Sequence, residues 1–405
     1  MSENEGSKKS FWQGIAVGMG VACIILLAAV GVQRTYLFVK ESRQAPKVSV
    51  TNEEAIAKLA TLENTISQLY WEDVTEEALE NGMYKGLLEA LEDPYSVYYT
   101  QEELLQLRQD TEGIYYGIGA YISTDLESGY VCISKIIKNT PAEESDLEAG
   151  DLIYMINGED MQGKDSSYVV SKIKGEENTY VTITVLRQGE PDPIDIEVRR
   201  ARIESPTVEY TMYENGVAYI LISEFDDVTT KQFANAYSQA KKDGMKGLIL
   251  DLRSNPGGNL VTVCDIARML LPKGLIVYTE DKNGNRLEYV CEEDNRIEVP
   301  LVVLTNDYSA SASEILAGAI KDYELGTLMG TTTFGKGIVQ KVVTLSDGSA
   351  VKLTISKYFT PKGNYIHETG IEPDIVVEFD AEQYREGIDN QLEEAKIYIS
   401  GLINE

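Results

Sequence analysis

One histidine, His367, occurs in 405 residues, so count argues against a histidine pair or histidine-rich metal ligation, and a general base has to be sought among other residue types. Cysteine is equally sparse. Cys23, Cys132, Cys264 and Cys291 stand far apart without CxxC or zinc-like spacing, and neither a metal centre nor a disulfide framework can be read from them. No GxxxxGK(S/T) phosphate loop and no HExxH is present, so no nucleotide, metal or other cofactor is expected. Basic residues number 36 against 66 acidic ones, and a net charge of −30 spread along the chain repels phosphate backbones, which sets nucleic acid aside as a partner.

What is present is a chain with 43% apolar and 25% charged residues, long enough for several domains with their own cores. Residues 11–32 form an uncharged apolar run of membrane-spanning length, longer than a signal-peptide core, and residues 28–31 make a poor cleavage site. The expectation is an uncleaved single anchor within residues 1–33. Flanking charge does not orient it, since Lys8 and Lys9 face Arg34, Lys40 and Arg43. A long folded body after one such span crosses regardless, so the expected location is the cell membrane, single-pass, with the body outside the cytoplasm.

Residues 34–50 are polar, contain Pro46 and read as a tether. Residues 51–54 (TNEE) give a capping-box pattern, after which Ile56, Leu59, Leu62, Ile66 and Leu69 recur at helical spacing. A second helix over about 75–91 stops before Asp93-Pro94, and a third starts at Thr100 with Glu103 in the reciprocal position. The apolar faces of this 51–111 helical segment need a partner, and a homodimer through it and a C-terminal helix within 381–405 is one expectation.

From 112 to 200 the texture changes to short strands, with Asn157-Gly158 as a tight-turn signal between apolar runs. This stretch resembles a PDZ domain. Tyr116, Gly117, Ile118, Gly119 and Ala120 stand where that family binds a carboxylate, and residues 139–158 (NTPAEESDLEAGDLIYMING) are similar to those of protease-associated PDZ domains. The resemblance implies capture of a free C-terminus by backbone N–H groups while the peptide adds as a strand.

Residues 201–380 alternate strands and helices, which predicts an α/β core. Residues 247–252 (GLILDL) read as a strand buried on both faces, followed by a turn at Pro256-Gly257-Gly258 and a helix over about 260–271. Ser309, Ser311 and Ser313 precede an apolar helical run; a serine there sees unpaired N–H groups that stabilise an alkoxide, and is equally a preferred N-cap. Lys336 sits between glycines and beside apolar Phe334 and Ile338, an environment that would desolvate an amine and lower its pKa toward that of a base. Gln340, four residues on, is expected on the same face of a strand, able to orient the amine.

Together, residues 251–258 (DLRSNPGG), 309–314 (SASASE) and 333–340 (TFGKGIVQ), with 93–96 (DPYS) and 370–374 (GIEPD), resemble the signature blocks of the C-terminal processing peptidases, also called tail-specific proteases. The resemblance spans nearly everything after residue 33. It implies a multi-domain α/β (α+β) fold: a crotonase-like protease core preceded by the PDZ domain and a helical segment. It makes Ser311 the nucleophile, Lys336 the base, Gln340 its orienting partner, and the Gly257-Gly258 turn with the Ala312 N–H the oxyanion hole. Substrates would be proteins or peptides with free C-termini. A catalytically inactive tail-binding adaptor and an acyl-CoA enzyme on a crotonase-type fold are the competing readings. Spacing to the lysine, and nothing else in the sequence, selects Ser311 over Ser309 and Ser313.

Overall fold

The computed structural model describes residues 50–404 except residue 127, so the expected anchor at 11–32 and nearly all of the tether lie outside the described residues. Among the described residues no helix is long and apolar enough to cross a membrane. Two compact units divide after Leu79. In the first, α1 (Glu53–Leu69) is capped by Asn52, which accepts the Ala55 N–H at 2.8 Å, one residue later than the Thr51 pattern suggests. No residue of α1 is buried, and Ile56, Leu59, Leu62 and Leu69 are exposed. Helix α2 (Glu76–Glu89) includes the unit boundary.

In the second unit, Asp93 accepts the Tyr95 N–H and the Ser96 hydroxyl in a turn that leads into β1 (Val97–Tyr99). Thr100 and Glu103 then form the expected reciprocal cap of α3 (Gln101–Glu112). The next segment contains β2 (Ile114–Gly117), β3 (Ala120–Thr124), β4 (Val131–Ile136), α4 (Pro141–Glu144), β5 (Leu152–Ile156), β6 (Glu159–Asp160), α5 (Ser166–Ile173), β7 (Tyr180–Leu186), β8 (Ile194–Arg199) and β9 (Ala201–Glu204). Its sheet runs β3-β4-β5-β7-β8, with β6 beside β5, around a core of Val131, Ile133, Ile153, Ile183 and Val185 that Val169 and Ile173 of α5 cover. Strands β2 and β9 pair antiparallel, so the segment leaves and rejoins the chain through one two-stranded stalk.

The remaining elements are β10 (Val208–Met212), β11 (Val217–Ile222), α6 (Thr229–Lys242), β12 (Gly247–Asp251), α7 (Leu260–Ala267), β13 (Gly274–Asp281), β14 (Arg286–Cys291), β15 (Leu301–Thr305), α8 (Ala312–Asp322), β16 (Thr327–Gly330), β17 (Ile338–Thr344), β18 (Ala350–Phe359), β19 (Ile375–Val376), α9 (Ala381–Arg385) and α10 (Asn390–Asn404). One sheet runs β10-β11-β12-β15-β16-β19, parallel except for β10. As expected, β12 is buried on both faces. Leu248 and Leu250 join the core with α6, α7 and α8, whereas Ile249 joins Ala395 and Ile399 of α10 on the other face. The C-terminal helix thus spends its apolar face within the fold. A second sheet runs β1-β18-β13-β14, with β17 also paired to β18. Cys132, Cys264 and Cys291 are free thiols, and burial pushes that of Cys264 up to about 12.

Candidate active site

Strand β15 ends at Thr305, and the three serines around the start of α8 stand in different environments. Ser309 and Ser313 are fully buried, their hydroxyls donating to the Leu252 carbonyl at 2.7 Å and the Asn255 carbonyl at 3.0 Å. Ser311 is partly exposed, and its hydroxyl donates to no protein acceptor among the described residues. Its backbone has φ 55° and ψ −111°, a region that costs a non-glycine residue about 1–3 kcal/mol and persists only where the surroundings over-determine it. Here they do: the Ser311 N–H donates to Glu314 Oε2 at 2.8 Å, and the Tyr358 hydroxyl, held neutral by burial, donates to the Ser311 carbonyl at 3.1 Å.

Beside Ser311 lies the turn after β12. Buried Asn255 donates to the Ile222 carbonyl at 2.8 Å and accepts the Gly257 N–H at 2.8 Å, while its own carbonyl accepts the Ala310 N–H. Gly257 (φ 108°) approaches so closely that an added Cβ would lie 2.7 Å from Ser311 Cβ, and at Gly258 (φ 137°) it would lie 2.4 Å from the Phe225 carbonyl oxygen. Of the three residues expected to line an oxyanion hole, Gly257 therefore contributes its missing side chain, because its N–H is committed to Asn255. Among the described residues the N–H groups of Gly258 and of Ala312, the first helical residue of α8, donate to no protein acceptor.

Lys336 reaches this site in a loop whose glycines are both required by close packing. A Cβ on Gly335 would strike the backbone of residues 368–370, and one on Gly337 that of His367. The loop is tied to the serine by Glu314, which is fully buried. Its Oε2 accepts the N–H of Ser311 and of Lys336, each at 2.8 Å, and its Oε1 accepts the Gly335 N–H at 2.7 Å and the Thr333 hydroxyl at 2.6 Å. Four donors on two oxygens fix the start of α8 against the lysine loop. Burial, with the Lys352 ammonium nearby, pushes the Lys336 amine below its ordinary value, against the opposite pull of Asp93 and Glu314. His367 packs behind the same loop, its Nδ1 accepting the Gly337 N–H at 3.4 Å.

Gln340 lies on β17 and its amide nitrogen donates to Thr354 Oγ1 of β18 at 3.4 Å. A register shift falls between Val339 and Gln340, and Lys336 precedes the strand, so simple alternation does not put the two side chains on one face. Sequence reasoning missed Glu314 and Asn255, although each lies inside a block quoted above. It also missed Arg253. That guanidinium donates to both oxygens of Asp389, at 2.9 and 2.7 Å, and to Asp251, joining the end of β12 to the chain just before α10.

Residues 116–120 run from the end of β2, through Ile118 and Gly119, to the first residue of β3. Ile118 is buried, Gly119 has φ 88° with Thr140 where a Cβ would be, and the Ile118 carbonyl accepts the Ala142 N–H at 2.8 Å. The Tyr116 carbonyl accepts the Gly175 N–H just after α5. This stretch is therefore held against α4 and the end of α5, and β3, which it leads into, packs on α5.

A family model described as Peptidase family S41 matches residues 216–377, one described as PDZ domain matches residues 133–187, and one described as Activating protease CtpB N-terminal domain matches residues 25–103. Carboxy-terminal processing protease CtpB of Bacillus subtilis (strain 168) is 37% identical over 329 residues, 80% of this chain and 68% of that protein. Carboxy-terminal processing protease CtpA of the same organism is 34% identical over 358 residues, 88% of this chain and 76% of that protein. A solved S41-type structure from Bacteroides fragilis NCTC 9343 shares the fold at 18% identity, with a TM-score of 0.52 over 78% of this chain and 90% of that one. The chain thus belongs to peptidase family S41, as a carboxy-terminal processing serine protease with a PDZ domain.

Proposed function

We propose that the protein is a membrane-anchored endopeptidase that cuts proteins near their C-termini with Ser311 as nucleophile and Lys336 as general base. The reading draws its main support from the Glu314 carboxylate, which holds the Ser311 and Lys336 backbones together beside two unengaged N–H groups. In the forward step Ser311 Oγ attacks the scissile carbonyl and its proton passes to neutral Lys336 Nζ. The oxyanion is received by the Gly258 and Ala312 N–H groups. Lys336 then returns the proton to the leaving amine, and the same amine activates the water that hydrolyses the acyl-enzyme. Gln340 orients the amine from β17.

The 116–120 loop receives the substrate's terminal carboxylate, residues 11–32 anchor the protein, and the catalytic body lies outside the cytoplasm. The exposed apolar residues of α1 supply a contact for a second copy. Ser311→Ala and Lys336→Ala, assayed on a loosely folded protein with a free C-terminus, test the chemistry. Both variants are expected to bind the tail without cleaving it, and retained cleavage by either would overturn the assignment. Tail binding without cleavage by the unaltered protein would favour the adaptor reading.

A further inference from the structure

Lys336 Nζ makes no hydrogen bond or ion pair among the described residues; what it meets is the face of Tyr95, with Nζ 4.5 Å from the ring centroid. Tyr95 is delivered there by a chain of short-range constraints. Asp93 Oδ1 accepts the Tyr95 N–H at 3.0 Å, Asp93 Oδ2 accepts the Ser96 hydroxyl at 2.6 Å, and Ser96 Oγ accepts the Thr354 N–H at 3.1 Å. Strand β1 then pairs with β18, Val97 opposite Lys352. The segment before the PDZ domain is thereby stapled to the sheet that carries Gln340, with one aromatic ring against the amine.

A base that cycles between amine and ammonium is poorly served by a carboxylate partner, which would keep it protonated and occupy its hydrogens. An aromatic face differs. It attracts the ammonium through the ring quadrupole and makes no hydrogen bond with the lone pair of the neutral amine. We propose that Tyr95 is a positioning residue of the catalytic centre, its ring face holding the Lys336 ammonium that forms when the amine takes the Ser311 proton and leaving the neutral amine free to face Ser311. The inference rests on Lys336 acting as the base.

The other charged groups around the amine are Lys352 on β18, which disfavours its protonation, and Asp93 and Glu314, which favour it. His367, against Gly337, draws on Asp93 in turn. Burial, then Asp93 and Glu314, push the Tyr95 phenol above its ordinary value, so the ring stays neutral and acts through its face. Burial lowers the affinity of Lys336 for a proton, and the ring restores part of it.

The test is the pH profile of kcat and KM in the full chain for Tyr95→Phe, Tyr95→Leu and a pentafluorophenylalanine at position 95, which keeps the ring's shape and reverses its face potential. Tyr95→Phe should keep the acid limb of the wild-type profile. Leucine and the fluorinated ring should both move that limb to lower pH, by about half to one unit, and lower kcat about tenfold at little change in KM. An acid limb that stays put in both of these variants overturns the inference, as does a Tyr95→Phe enzyme that behaves like Tyr95→Leu. A wild-type profile without an acid limb, or turnover by Lys336→Ala, removes the lysine base itself.

Discussion

Glu314 Oε2 accepts the backbone N–H of Lys336 at 2.8 Å, so the helix that Ser311 precedes and the loop that carries the lysine close on one buried carboxylate. Glu314→Gln keeps the shape but replaces one acceptor with a donor, turning an NH2 toward one pair of donors. Each donor left unsatisfied costs about 1–3 kcal/mol, and a misplacement of about 1 Å at a catalytic pair costs about 100-fold in rate. Glu314→Gln is therefore expected to lower kcat at least about 100-fold and to melt earlier, with both read on the same preparation. An enzyme of wild-type kcat would show that the shared carboxylate does not set the geometry.

The lysine sets the sign of the pH dependence. Its neutral form is the competent one and its pKa is depressed, so activity is lost as pH falls through that value and recovers as pH rises. Lys352 contributes to the depression. Lys352→Ala should let Lys336 hold its proton more tightly and move the acid limb of kcat/KM upward, by about half a unit at low ionic strength and less in high salt. A shift in the other direction would contradict the account of this site.

Gly258 offers a test of the oxyanion donors. A Cβ there would stand 2.4 Å from the Phe225 carbonyl oxygen at a φ of 137°, and the turn would have to move. Loss of one preorganised donor costs about 10²–10³ in kcat. Gly258→Ala is expected to fall in that range, with KM much less affected and the fold retained by circular dichroism.

Much of this is legible in the chain itself. A five-residue strand such as β12, apolar but for its terminal Asp251, has no place but a two-faced interior, and Thr100 with Glu103 can hardly be other than a cap. The serine and lysine blocks were legible as well. What was not legible came from geometry that spacing does not encode. The Asn255 side chain, by taking the Gly257 N–H, decides which glycine of the pair can serve as a donor. The irregularity between Val339 and Gln340 breaks the parity on which the glutamine's orientation was reasoned. Tyr95 and Glu314 act through partners distant in sequence, and α1 starts one residue later because Asn52 caps better than Thr51.

Asp226 gives a stability prediction of definite sign. It is 5% exposed, on the loop whose Phe225 N–H donates to the Gly257 carbonyl, and burial, with Glu224, Asp110 and Asp227 around it, pushes its carboxyl up to about 7. An acid whose pKa is raised by folding stabilises the native state below its unfolded value, and that contribution is lost as pH rises through the folded value. Asp226→Asn should therefore raise the melting temperature by about 2–4 °C at pH 8 and little at pH 4. Equal shifts at both pH values would mean that ionisation of Asp226 is not the cause.

The most direct measurement is covalent trapping with a fluorophosphonate, followed by peptide mass spectrometry of the region that holds all three serines. Ser309 and Ser313 donate to backbone carbonyls from fully buried positions, and Ser311 alone of the three is open to solvent. The adduct is expected on Ser311, forming more slowly as pH falls and not at all in Lys336→Ala. An adduct on Ser309 or Ser313, or labelling that is indifferent to Lys336, would contradict the central claim.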